Sequence, residues 1–393
     1  MRVLQINTTY NIGSTGRIMA GIDKILIDAG IESYCAFGHG NQVNDHHYRI
    51  INSLGSKIHN VCSRLTDSQG LHSTNKTRKF LRWVESVQPE VVHLHNLHGN
   101  YLNYQLLFEY LKTSECKVVW TLHDCWPFTG HCAYFDMAGC NKWKSGCYNC
   151  PQTKCYPSAL IDQSKRNFNL RKRLFSEIGN RLTMVPVSNW LAGLLRESFF
   201  CNVSIKTIHN GINLDNFRRH SLSSDNPYIL GVAAQWGERK GLRDFIKLRD
   251  ILDLSIGITL VGLTKSQIQG LPSGILGIER TESIDALAKL YSGAIAYVNM
   301  TYEDNYPTVN LEAEACGTPV VTYRTGGSPE SVPVNMGIIV EQGDVQGVND
   351  AIRDILRSPE LFDANHIIER SKELHNENAC FLSYLKLYTK VWE

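Results

Sequence analysis

The chain has 393 residues, 43% hydrophobic and 20% charged, and its 40 basic and 38 acidic side chains leave a net charge of +2. That length favours two domains over one core, and the near balance of charge removes any global pull toward nucleic acid or membrane. The opening "MRVLQINTTYNIGSTG" holds no apolar run long enough for a signal peptide, and no stretch approaches the roughly 20 apolar residues of a membrane span. The expected location is the cytosol, with contact at the inner face of the cell membrane left open.

In chain order, strand patterns run over 2–8, 32–38, 90–96, 117–124, 182–188 and 204–210. A second set runs over 228–234, 257–263, 275–279, 294–300, 319–324 and 337–341. Helical periodicity separates them, for example over 241–253, 283–292 and 345–357. Alternating β and α with continuous apolar strands predicts an α/β architecture of parallel sheets covered on both faces. Twelve strands are too many for one ordinary open sheet, so two six-stranded sheets are expected. The polar stretch "LDNFRRHSLSSDNPY" (214–228) marks the boundary. The expected domains are 1–210 and 222–377. Doubly wound domains bind ligands at the carboxyl ends of their strands, and most of the unusual motifs lie just past predicted strands.

Four of these motifs can carry chemistry. In "TTYNIGSTGRI" (8–18), Gly13 and Gly16 would let backbone approach an anion at a helix start. The stretch matches neither G-x-G-x-x-G nor the P-loop. "TLHD" (121–124) ends a buried strand, and His123 there can hydrogen-bond a ligand hydroxyl or polarise a leaving group. In "VAAQWGERKGLRDFI" (232–246), Arg239 and Lys240 stand where a loop becomes a helix, an arrangement that suits a diphosphate. In "YEDNYPTVNLEAEACGTPVV" (302–321), a helix of about ten residues begins near Pro307 and Thr308 and offers its free N–H groups to phosphate. Glu312 lies about 7.5 Å farther along the axis, at 1.5 Å per residue, where a carboxylate can accept from a ribose diol. Asp304 precedes the helix tip, placed to meet whatever lies beyond the phosphates.

Seven of the twelve cysteines fall between 116 and 155. Cys147 and Cys150 form C-x-x-C, and Cys132 and Cys140 complete an S4 set for a structural zinc. Zinc is the favoured reading; an unliganded cluster and disulfide or redox use stay open beside it.

Together "TLHD", "WGERKG", "IHNGIN" (208–213) and "EDNYPTVNLEAEACGTPVV" resemble the retaining glycosyltransferases of family 4, which have the GT-B fold of two Rossmann-like domains facing across a cleft. The Cys-rich stretch after "HDCWPFTGHC" is similar to a bacterial surface-polysaccharide branch of that family. The resemblance implies a first domain that binds the acceptor and a second that binds the nucleotide-sugar donor. It implies that residues 378–393 cross back to the first domain as a final helix. The family's paired acids, with seven residues between them, fall on Asp304 and Glu312, with Glu303 beside the first and Glu312 expected on ribose. His123 matches the histidine near the donor sugar, Lys240 the lysine on the diphosphate, and Gly13 and Gly16 the phosphate-side loop. The family arginine stands five residues before that lysine, where this chain has Gln235, so Arg239 would supply the charge. Asn305, Tyr306, Pro307 and Thr308 form the helix tip that would complete the donor site. No catalytic metal is implied, and no D-x-D triplet occurs. The implied chemistry is same-face attack by an acceptor hydroxyl, with the acceptor a saccharide or lipid-linked saccharide. A nucleotide-sugar epimerase of the same fold and a catalytically silent sugar-nucleotide scaffold are the competing readings.

Two further stretches bear on partners. His93, His95 and His98 in "HLHNLHG" are expected to line the acceptor side rather than to bind metal. "KRNFNLRKRLF" (165–175) is basic with interleaved apolar residues. It reads either as a membrane-surface helix or as an amphipathic helix packed on its own domain.

Overall fold

The computed structural model describes residues 1–221 and 226–390. Part of the expected boundary stretch 214–228 and the end of the expected final helix 378–393 therefore lie outside the described residues. The described residues of Met1–His209 with Phe381–Glu393 form one compact unit, and those of Asn210–Cys380 form a second.

The first unit is built on β1 (Arg2–Thr9), β2 (Glu32–His39), β3 (His47–Arg49), β4 (Val91–Leu94), β5 (Lys117–Leu122), β6 (Leu182–Pro186) and β7 (Ser204–Ile205). Their order is β3-β2-β1-β4-β5-β6-β7, and every pairing is parallel. β1 shows why: Val3, Leu4 and Ile6 are fully buried, and so are Gln5 and Asn7 between them. A strand buried on both faces must sit inside a sheet that helices cover on each side. The second unit holds β8 (Tyr228–Val232), β9 (Gly257–Val261), β10 (Ile275–Ile278), β11 (Ala296–Asn299), β12 (Val320–Tyr323) and β13 (Gly337–Val340). Their order is β10-β9-β8-β11-β12-β13, again all parallel. In each sheet the chain reverses its direction of growth beside the first strand, between β1 and β4 and between β8 and β11, the position where doubly wound folds bind ligands.

Two details differ from expectation. The first sheet has seven strands, not six, because His47–Arg49 pairs with Cys35–Phe37 at the edge. Three residues of sequence His-Tyr-Arg carry no apolar run, so periodicity could not find them. The strand expected over 204–210 is only Ser204–Ile205.

The helix Glu377–Lys390 gives its first turn to the second unit, where Asn213 Nδ2 donates to Glu377 Oε1 at 2.7 Å. Its remainder belongs to the first unit. There Phe381, Tyr384 and Tyr388 are buried, Tyr388 Oη lies 2.6 Å from His93 Nδ1, and Thr121 Oγ1 donates to Tyr384 Oη at 3.0 Å. The basic stretch 165–175 lies in the helix Ser164–Ser176, whose Phe168, Leu174 and Phe175 are buried. Arg171 is buried with them, donating to the carbonyls of Trp126 and Thr129 at 2.8 and 2.9 Å. The apolar side of this helix is thus occupied by its own domain.

Candidate functional site

The expected site residues divide between the units. Gly13, Gly16 and His123 are in the first; Arg239, Lys240, Glu303, Asp304, Asn305, Tyr306, Pro307, Thr308 and Glu312 are in the second.

In the second unit, the loops after β8 and β11 flank the reversal of strand order and meet there. Lys240 Nζ lies 2.5 Å from Asp304 Oδ2. Arg239 Nη1 donates to the Glu303 carbonyl at 2.8 Å, and Tyr302 N donates to the Arg239 carbonyl at 2.8 Å. Burial alone would raise the Asp304 carboxyl, but the ammonium of Lys240 and the guanidinium of Arg239 outweigh it and hold it below the usual range. The carboxylate is therefore charged at neutral pH, and it is the counter-ion of Lys240. The Asp304 carboxylate also accepts from Asn305 N at 2.9 Å, and Asn210 Nδ2 holds the Tyr306 carbonyl at 3.2 Å.

The helix Thr308–Ala315 begins after Pro307, in extended conformation, and no side chain caps its first turn. An uncapped helix start leaves backbone donors and the positive end of the dipole for an anion. Glu312 is buried on this helix, with Tyr291 Oη donating to its Oε2 at 3.2 Å. The next acid, Glu314, has a different task. Burial pushes its carboxyl well above the usual range, and its Oε2 lies 2.7 Å from His375 Nε2. Glu314 ties the helix to Ala364–His375 and belongs to the scaffold.

In the first unit, Gly13 adopts φ +68°, and a side chain on Gly16 would strike Thr9 Oγ1 at 2.7 Å, so both glycines are needed for the tight turn after β1. His123 follows β5 and closes a buried chain of hydrogen bonds. Gln5 Nε2 donates to the Met19 carbonyl at 3.2 Å, which leaves Gln5 Oε1 facing His95 Nε2 at 3.3 Å. His95 Nε2 must then carry the proton. Burial and the neighbouring His93 and His123 push His95 well below its ordinary value, so its ring is neutral. Its Nδ1 therefore accepts from His123 Nε2–H, 3.2 Å away. Burial also lowers His123, to about 4. A neutral His123 with its proton on Nε2 leaves Nδ1 as a bare acceptor, able to receive a hydroxyl but unable to donate to phosphate. Beside it, His98 Nε2 lies 2.7 Å from Asp124 Oδ2 and His98 Nδ1 lies 2.8 Å from Tyr156 Oη.

Cys132, Cys140, Cys147 and Cys150 line one cavity of about 20 Å³, together with His131, Phe135 and Trp143. That volume holds one water-sized body. Cys150 is lowered to about 7, chiefly by its hydrogen bond with Cys132, and Cys147 Sγ accepts from Gly130 N at 3.2 Å. The sequence reading missed His131. Its Nδ1 lies 2.6 Å from Asp67 Oδ1, while its Nε2 is buried without a partner; its place next to Cys132 was the available signal. Among the described residues, the one group whose ligand atoms all lie within 4.8 Å of each other is a different one, Asp23, Cys35 and His47. There Val43 N donates to His47 Nδ1 at 3.4 Å, so His47 Nε2 keeps its proton and faces Asp23 Oδ2 at 3.5 Å. With Tyr10 Oη donating to Asp23 Oδ2 at 2.9 Å, this is a hydrogen-bonded anchor for the β3 edge.

Two family models match the chain: one described as Glycosyltransferase Family 4 over residues 26–216, and one described as Glycosyl transferases group 1 over residues 226–358. WcaC of Escherichia coli (strain K12), named for a colanic acid biosynthesis glycosyl transferase, is 24% identical over 374 residues, covering 88% of each chain. Among solved structures, a sucrose-phosphate synthase from Thermosynechococcus elongatus superposes with a TM-score of 0.72 at 18% identity, covering 100% of this chain and 99% of that one. Anabaena HepE in complex with UDP-glucose superposes with a TM-score of 0.66 at 13% identity, covering 99% and 100%. The fold is GT-B, with two doubly wound parallel-sheet domains.

Proposed function

Because the chain belongs to the family 4, group 1 glycosyltransferases, we propose that it moves a hexose, with retention, from a nucleoside-diphosphate sugar to a saccharide or lipid-linked saccharide acceptor during cell-surface polysaccharide synthesis. The second unit holds the donor and the first binds the acceptor. The observation that carries this reading is the meeting of Arg239, Lys240 and an uncapped helix start at the reversal of strand order. Charge grows on the diphosphate as the glycosidic bond breaks, and pre-aligned cations and N–H dipoles stabilise it most at that moment. Glu312 takes the ribose diol, Asp304 meets the sugar side, and His123 accepts a hydroxyl through Nδ1. The UDP-glucose bound by HepE and the colanic acid role in the name of WcaC support a nucleotide-sugar donor and a polysaccharide product.

The transfer step uses no metal in this reading. Cys132, Cys140, Cys147 and Cys150 would hold a structural zinc, supported by their shared cavity and by the unpartnered His131 nitrogen beside it. Metal analysis should return one zinc per chain; metal-free protein with every thiol titratable would end that assignment. For the transfer itself, UDP, GDP and ADP are screened by calorimetry, and the matching nucleotide sugars are then assayed for transfer. Lys240→Ala and Glu312→Ala should each lower kcat/KM at least about tenfold, or 1.4 kcal/mol. Wild-type kinetics in both variants would remove the assignment. Turnover of the donor sugar into an isomer without any acceptor would identify an epimerase instead.

A further inference from the structure

The helix Ser53–Thr66 is packed inside out. Its His59 and Ser63 are 1% and 4% exposed, while Leu54, Ile58, Val61 and Leu65 are 67%, 56%, 56% and 52% exposed. At 100° per residue those four apolar side chains fall within an arc of about 60°, and the two buried polar ones lie opposite. His59 has a reason to point inward: its Nδ1 lies 2.8 Å from Ser73 Oγ. Among the described residues of the first unit nothing covers the apolar stripe, and the stripe continues past the helix. Leu160 N donates to the Arg64 carbonyl at 2.7 Å, bringing up Leu160 and Ile161, which are 76% and 45% exposed. The carboxylate that follows, Asp162, is turned onto the backbone N–H groups of Cys150 and Ser164 at 2.7 and 2.8 Å.

The rim of this stripe is basic. Lys57 and Arg64 are exposed on the same helix, which contains no acid. At its start, Arg49, Lys76 and Lys79 line a groove with Asn52, the N-cap residue. Arg78 and Arg82 add further exposed charge on the helix Thr74–Val87. Between residues 46 and 84 the one acid is Asp67, and it is buried against His131. A contiguous exposed apolar stripe marks an interaction surface. Protein interfaces are depleted in lysine, whereas an apolar stripe edged by lysine and arginine without acids fits an anionic lipid surface.

We propose that this face of the first unit seats on an anionic lipid bilayer. Leu54, Ile58, Val61 and Leu65 enter the boundary between headgroups and acyl chains, while Lys57 and Arg64 meet lipid phosphates. The basic helix Ser164–Ser176 does not do this work, because its apolar side is already buried. The proposal goes beyond the transfer reading and does not depend on it.

The test is flotation of the full chain with phosphatidylcholine vesicles, with and without phosphatidylglycerol, at low and raised salt. Capture is expected only by the phosphatidylglycerol vesicles and should weaken with salt. Leu54→Gln, Ile58→Gln and Val61→Gln combined should cut the bound fraction at least about tenfold. These residues are exposed, and unchanged circular dichroism would confirm folding. Lys57→Gln and Arg64→Gln should each lose roughly fivefold, whereas Lys172→Gln on the other basic helix should lose far less. No capture by anionic vesicles, or wild-type capture of the triple variant, would overturn the proposal. So would a concentration-dependent dimer that the triple variant dissolves without any flotation, since the face would then belong to a second copy.

Discussion

Asp304 offers a sharp test of the donor site because it blocks the group it helps to place. Its carboxylate sits 2.5 Å from Lys240 Nζ, with the side chains 16% and 19% exposed. A diphosphate oxygen seated on that ammonium would find the carboxylate about 5 Å away. At an effective dielectric near 20 the repulsion is roughly 3 kcal/mol, and salt and partial exposure bring it to about 1.5 kcal/mol. Asp304→Asn keeps the shape and removes the charge. It should tighten nucleoside-diphosphate binding about tenfold while lowering kcat, since in the proposed transfer this carboxylate meets the sugar side. Calorimetry with UDP, GDP and ADP at low salt reads the first effect, and turnover with the matching nucleotide sugar reads the second. The gain in affinity should shrink as salt is raised, and Lys240→Ala should lose affinity. If Asp304→Asn binds no better than wild type every diphosphate that wild type binds, and Lys240→Ala binds as well as wild type, then the ion pair is structural and the diphosphate lies elsewhere.

The two acids on the helix Thr308–Ala315 should separate cleanly. Glu314→Ala, which strips His375 of its buried partner, should cost about 3 kcal/mol of stability in chemical denaturation, yet leave diphosphate affinity of the folded protein unchanged. Glu312→Ala should lower nucleoside-diphosphate affinity, with a smaller stability cost of about 1 kcal/mol from freeing the buried Tyr291 hydroxyl. For the histidine chain, nitrogen-detected NMR of histidine-labelled protein at neutral pH should show His123 protonated on Nε2. Gln5→Leu should convert it to a mixture, and a wild-type spectrum in that variant would refute the relay through His95. Acid should weaken the first unit. Burial, with His123 nearby, pushes His93 down to about 3, below its unfolded value near 6.5. The unfolded chain therefore binds the proton first, so stability is full above about pH 6.5 and falls as pH drops toward 3. Each such histidine removes roughly 2 kcal/mol by pH 5. Of the six tryptophans among the described residues, five (Trp83, Trp120, Trp126, Trp143 and Trp190) lie in the first unit, so fluorescence-monitored urea melts report that loss, and a flat profile between pH 7 and 5 would contradict it.

Strands such as β1 and β12 were legible because a parallel strand buried on both faces is dominated by apolar residues, Val3, Leu4 and Ile6 in one and Val320 and Val321 in the other. The β3 edge was not, because it is anchored through His47, which packs on Tyr10 and faces Asp23 and Cys35 from other elements. The loop residues that meet at the reversal of strand order were readable as types, with Arg239 and Lys240 before one helix and Asp304 before another. Their pairing was not, since residues 240 and 304 come together only through sheet order. Periodicity also cannot say which side of an amphipathic helix faces in. The stretches 53–66 and 165–175 both combine basic and apolar residues, yet the first presents its apolar side outward and the second buries it, a difference set by Ser73 beside His59 and by Trp126 and Thr129 around Arg171.

Tyr388 and His93, hydrogen-bonded across 295 residues, carry a consequence for how the protein is made. Domains usually fold in order as they leave the ribosome. Here the sheet that is synthesised first keeps an open slot beside β4 and β5 until the segment holding Phe381, Tyr384 and Tyr388 has been translated. The earlier half of the molecule must therefore wait for the later half, and a chain cut before that segment would leave three tyrosine and phenylalanine sockets facing water.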